Sequence, residues 1–207
     1  MAQSGTRTGT RERILAAAAK LFYGEGLRAV SVDAVAARAG VTKRTLYYHF
    51  KSKDDLIAAY LTERDQPNLA LFQGWFAQTQ GDTADKVRAI FFRLADAVRH
   101  PKWKGCGFLR TSAELVNMPG HPAIQASRAH KKRVESWLES AFIAAGLAPQ
   151  AAMLARQIVL LLDGAFAAGL LHRDPGYMET AGDAAHVLIC TAQKRPLRRL
   201  AVTGAIR

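Results

Sequence analysis

The chain has 207 residues, of which 49% are hydrophobic and 22% charged, and it carries a formal net charge of +12. That length allows one domain of moderate size or a small module on a larger one, and the composition excludes a disordered or fibrous chain. The longest apolar runs, such as Ile158 to Leu162, are too short to span a bilayer, so no membrane partner is expected.

Strand signals are nearly absent and helical periodicity is continuous, which makes the fold class all-α. The amino end, MAQSGTRTGTRER, lacks the apolar stretch of a signal peptide. Cys106 and Cys190 are too few and too distant for a disulfide framework, so a cytoplasmic protein with reduced thiols is expected. The first helix is predicted to start after Thr10 as N-cap, to bury Ile14, Ala17, Ala18, Leu21 and Phe22, and to stop at Gly24 and Gly26. A short second helix follows Ser31, with Val32, Val35, Ala36 and Ala39 inward, and Gly40 breaks it. A third is capped by Thr42, buries Val41, Leu46 and Phe50, and ends near Lys51; Ser52 and Asp55 open a fourth in capping-box spacing. Two short helices joined by a tight glycine turn form the helix-turn-helix pattern, whose second helix offers its outer face to a DNA major groove.

Beyond Asp54 the helices lengthen, with breaks predicted at Pro67, Gly81 to Asp82, His100 to Gly107, Met118 to Pro122, Gly146 to Pro149 and Arg173 to Gly176. The segment from Ala148 to Leu171 is apolar nearly all round, and Pro175 to Gln193 is apolar on more than one face. Two such adjacent helices suggest a helix-helix dimer interface. The organisation expected is a helix-turn-helix domain over 1–53 with a basic arm over 1–9, a helical regulatory and dimerisation domain over 54–193, and a basic tail over 194–207.

The positive charge is confined to the two ends. Residues 1–53 hold ten Lys and Arg against Glu12, Glu25 and Asp33, a net +7, and residues 194–207 hold five basic residues and no acid. The 54–193 stretch is neutral, so the excess has the form of a footprint for a polyanion, most economically nucleic acid. The stretch VTKRTLYYHFKSKDDL carries the matching chemistry, because Leu46 and Phe50 point inward while Thr42, Lys43, Arg44, Thr45, Tyr47, Tyr48, His49 and Lys51 are left outward. Lys43 and Arg44 can donate to guanine O6 and N7, Thr45 can meet a thymine methyl, and the tyrosine hydroxyls and Lys51 can hold phosphates. Thr42 can offer its hydroxyl and a backbone N–H to a phosphate.

The run AVAARAGVTKRTLYYHFKSKDDLI, from Ala34 to Ile57, resembles the DNA-binding signature of the TetR family of transcriptional regulators, with its A-x-x-A-G-V turn, L-Y-x-H-F helix and S-K-x-x-L opening of the next helix. Lys43-Arg44 departs from the glycine or proline of many members. The resemblance implies a homodimer that binds a double-stranded DNA operator as a repressor and leaves it when a small-molecule effector occupies the larger domain. It places DNA contacts at Ser31 or Val32, Thr42, Lys43, Arg44, Thr45, Tyr47, Tyr48, His49 and Lys51, with additions from Thr8, Arg11 and Arg13.

For the effector, the loop and helix from Lys102 to Leu115 lie where the family often carries pocket or sensor residues. Cys106, beside Lys102 and Lys104 near a helix start, has the setting of an electrophile or oxidant sensor, or is a small buried packing residue. Trp75, Trp103, Trp137, Phe92 and Phe166 either pack the core or line a pocket in which Arg110, Glu114, Asp163 and His172 serve as polar anchors. The histidines show no metal-ligand spacing, no cofactor is implied, and nothing fixes the geometry of a hydrolase built on Cys106 with His121 or His172. A non-specific DNA-binding protein is the remaining alternative, separable by its equal affinity for any duplex.

Overall fold

The structure, a computed structural model, describes residues 9–194, and among these it holds nine α-helices and no strand. The residues divide into two compact units, one built from the chain up to Leu71 with His100–Lys132, the other from Phe72–Arg99 with the chain from Arg133.

In the first unit, α1 (Thr10–Glu25) buries Ile14, Leu15, Ala17, Ala18, Leu21 and Phe22 on one face. Its N-cap is Gly9 rather than Thr10, because the Glu12 carboxylate reaches back to accept the Gly9 N–H at 3.1 Å and so draws Thr10 into the first turn. Helix α2 (Val32–Ala39) is capped by Ser31, whose hydroxyl accepts the Ala34 N–H at 3.1 Å. It ends in a Schellman turn: Gly40 has φ +65°, its N–H donates to the Ala37 carbonyl, and the Val41 N–H donates to that of Ala36. Helix α3 (Lys43–His49) is capped by Thr42, which accepts the Thr45 N–H at 3.1 Å.

Helix α4 (Lys53–Gln78) opens with Ser52 accepting the Asp55 N–H at 3.0 Å. It runs through Pro67 without the expected break. A helix-interior proline costs about 3 kcal/mol, and burial of Leu61 before it with Leu69 and Phe72 after it holds both halves in register. The core of this unit joins α1, α2 and α3 to Leu56, Ile57, Tyr60 and Leu61 of α4, to Phe108 of α6 (Gly107–Glu114), and to Ala123 and Ile124 at the start of α7 (Pro122–Ala144).

In the second unit α5 (Thr83–Val98) and α9 (Gly176–Lys194) form an antiparallel seam. Val87, Phe91, Leu94 and Val98 meet Met178, Gly182, Ala185 and Ile189, both runs at alternating three- and four-residue spacing. Ion pairs Arg88–Asp183 at 2.7 Å and Arg99–Glu179 at 2.6 Å flank it. Gly182 is required by close approach, since a Cβ there would lie 2.8 Å from Phe91 Cβ. Helix α8 (Ala151–His172) buries Leu154, Ile158, Leu162 and Phe166. By length and composition alone the 25-residue Ala148–His172 segment is long and apolar enough to cross a bilayer, its most apolar 18-residue window having a mean hydropathy of 1.6. Its buried face is that of a core helix. Its opposite face leaves Met153, Leu160 and Leu171 exposed, and α9 leaves Tyr177 and Val187 exposed.

Candidate nucleic-acid interface

Helix α3 has two faces because 100° per residue sets Leu46 and Phe50 one turn apart on the inner side. Leu46 is fully buried and Phe50 nearly so, which anchors the helix. Val41, expected inside, is half-buried. Opposite them Thr42, Lys43, Arg44, Tyr47, Tyr48 and Lys51 are exposed, with Thr45 and His49 half-buried beside them. Tyr48 is the most open, 85% exposed, and its ring meets the edge of His49 at 5.2 Å. Arg44 and Tyr48 share one strip of this face and Lys43 and Tyr47 the next.

The polar atoms are not equally available. The Thr42 and Thr45 hydroxyls bond each other at 2.8 Å, and the Ser31 hydroxyl oxygen accepts the α2 cap bond. Lys43 Nζ lies 3.0 Å from Asp33 Oδ2, and that hydrogen bond, with the carboxylate charge, raises the Lys43 pKa above its usual value. Arg13 braces the turn itself, its guanidinium donating to the Ala39 and Gly40 carbonyls at 2.7 and 3.0 Å. Arg11 lies 3.6 Å from Glu63 and over the Phe50 ring. Thr8, the arm before Gly9 and the basic tail from Arg195 lie outside the described residues.

The residues singled out for an effector are divided between the two units. Trp103, Cys106, Arg110 and Glu114 belong to the first unit; Trp137, Asp163, Phe166 and His172 belong to the second. Arg110 donates to the Tyr23 carbonyl at 2.9 Å, and the Glu114 carboxylate accepts the N–H groups of Leu27 and Arg28 at 2.8 and 3.3 Å. The cleft they line with Phe22, Tyr60 and Thr111 has about 10 Å³ of free volume, room for a water at most. Cys106 is the half-buried N-cap residue of α6, and Trp103 is buried. Tyr60 is buried in this region, and desolvation pushes its phenol pKa up against the opposing charges of Arg64 and Arg110. In the second unit Trp137 meets Phe76 edge-on at 5.6 Å, Phe166 is buried, Asp163 is half-buried, and His172 stacks on Tyr177 at 4.8 Å.

Two histidine–carboxylate pairs escape sequence reasoning, one buried on both sides and one with a buried histidine and an exposed acid. His130 Nδ1 lies 2.7 Å from Asp65 Oδ1 while its ring stacks on Phe108 at 3.8 Å. His121 Nδ1 accepts the Ala123 N–H, which leaves the proton on Nε2, 3.2 Å from Asp54 Oδ1. Both acids are on α4 and both histidines on or just before α7, separations that no local spacing signals.

The family model described as bacterial regulatory proteins, tetR family, matches residues 14–60. The chain is 34% identical to the TetR-family transcriptional regulator SCO4454 of Streptomyces coelicolor, covering 88% of this chain and 95% of that one, with a TM-score of 0.77. It is 36% identical over 90 residues to the transcriptional activator FasR of Mycolicibacterium smegmatis, covering 44% of this chain and 41% of that one. It is 26% identical over 136 residues to the repressor KstR2 of the same species, covering 62% of each. The matches thus span less than two thirds of these two curated relatives' length.

Proposed function

The chain belongs to the TetR family of bacterial transcriptional regulators, which are not enzymes, and on that premise we propose that it is a cytoplasmic homodimeric repressor released from its operator by a small-molecule effector. The observation that carries the reading is the exposed face of α3, where Arg44, Tyr47, Tyr48 and Lys51 stand opposite the buried Leu46 and Phe50. Arg44 is the base-reading group, by bidentate donation to guanine, and Tyr47, Tyr48, His49 and Lys51 hold the backbone. Two copies of α3 must sit about 34 Å apart to enter successive major grooves, which calls for a dimer. The apolar residues left open on α8 and α9, Leu160 and Val187 foremost, supply a self-complementary surface for it.

An effector acts only through its differential affinity for the two states. Its route to DNA is α6: Glu114 grips the N–H groups of Leu27 and Arg28, four and three residues before the Ser31 cap of α2, so displacement of α6 shifts the seat of the helix-turn-helix. The aromatic and polar residues around Trp103 in the one unit and around Trp137, Asp163, Phe166 and His172 in the other are the groups to vary in mapping the effector. A thiol sensor at Cys106 is the variant of this reading, and electrophiles that release the Cys106→Ser protein from DNA as well as the wild type remove it.

Protection mapping on the DNA flanking the gene tests the proposal. Two protected half-sites one helical turn apart, with reporter expression rising on deletion of the gene, are expected. Uniform protection contradicts specificity, and falling expression contradicts repression.

A further inference from the structure

Between residues 26 and 53 the chain has six basic residues and one acid, Asp33. That acid is in the first turn of α2, where the helix dipole favours it, and it is spent on the first residue of α3. The Lys43 ammonium lies 3.0 Å from the Asp33 carboxylate across the turn, with the two side chains 53% and 67% exposed. An unpaired lysine at the edge of this face would add a phosphate contact on any sequence, since non-specific affinity is chiefly release of counterions by cations. A lysine already holding its counterion releases none. Because both partners are exposed, the pair is weak enough to open for a better acceptor.

We propose that Asp33 is a specificity-determining residue: an internal counterion that withholds Lys43 from the DNA backbone on unmatched sequence and gives it up to acceptors aligned on a matched site. The inference rests on the DNA-binding reading above.

The test uses full-length protein, a duplex selected from a random library and a scrambled duplex of equal composition, titrated over salt, with Asp33→Asn, Lys43→Ala and the double variant. Asp33→Ser serves as a second replacement, and circular dichroism checks that each variant folds. Asp33→Asn should tighten binding to the scrambled duplex several-fold, steepen the slope of log affinity against log salt by about two, one for the Lys43 of each protomer, and narrow the preference for the selected duplex. In the Lys43→Ala background it should change none of these. Equal tightening with and without Lys43 would show that Asp33 merely repels phosphate and overturns the inference, as does an unchanged slope and preference. A wild type that binds both duplexes equally overturns the functional reading, and the specificity role with it; a wild type that discriminates regardless of residue 33 overturns this inference alone.

Discussion

The carboxylate of Glu114, at the end of α6, accepts the backbone N–H of Leu27 at 2.8 Å and so ties α6 to the turn that follows α1. Glu114→Ala leaves that donor and the Arg28 N–H without their acceptor, at about 1–2 kcal/mol. Urea unfolding should move to lower concentration, and amide exchange should quicken first at Leu27 and Arg28. Protection spread evenly over the chain would show that the tie carries no local order.

Arg13 is a brace as much as a basic residue. Loss of its bonds to the Ala39 and Gly40 carbonyls, one part-buried and one exposed, in Arg13→Ala should cost about 1.5 kcal/mol, the low end of the range for a charged donor. Differential scanning calorimetry reads the loss directly. Unchanged stability with a shallower salt dependence of DNA binding would reassign Arg13 to the DNA backbone.

The buried Asp65–His130 pair predicts a larger effect. Removing one partner of a buried pair costs about 3–5 kcal/mol because the other is left in the core. Asp65→Ala and His130→Ala should each approach that figure, and the double variant should cost less than their sum. Additive losses would mean the two side chains do not act as a pair.

Local signals made α2 and α3 legible. The Ser31 and Thr42 caps, the Gly40 turn and the alternation of Leu46 and Phe50 against charged neighbours are all decided within a few residues. Thr10 misled because Glu12 competes for the cap, and Pro67 misled because packing on both sides outweighs a local penalty. The outward face of α3 follows from helical spacing, but Asp33 on Lys43 and Arg13 on the turn span 10 and 27 residues. The tie of Arg110 to α1 and that of Glu114 to the turn after α1 each span 87. Nothing in the sequence around either end marks such partners, so residues set aside as effector anchors are found holding α6 in place.

The α5–α9 seam depends on the absence of a side chain at Gly182. Gly182→Ala forces its new carbon to within 2.8 Å of Phe91 Cβ, and the seam must part, at about 1–3 kcal/mol. A fall in melting temperature is expected, even though alanine favours helix over glycine by about 1 kcal/mol. A rise would show that the helices separate without cost.

Sequence-specific reading of DNA by α3 is tested most directly by one comparison: the affinity of wild type and Arg44→Ala for the selected duplex and for each of its single-base-pair variants, at fixed physiological salt. The wild type should prefer the selected duplex over scrambled DNA by at least about a thousandfold. Arg44→Ala should lose discrimination at one base pair in each half-site, worth about 1–3 kcal/mol, and keep it elsewhere. An equal loss on every duplex would place Arg44 on the phosphates and contradict base reading at the centre of this face.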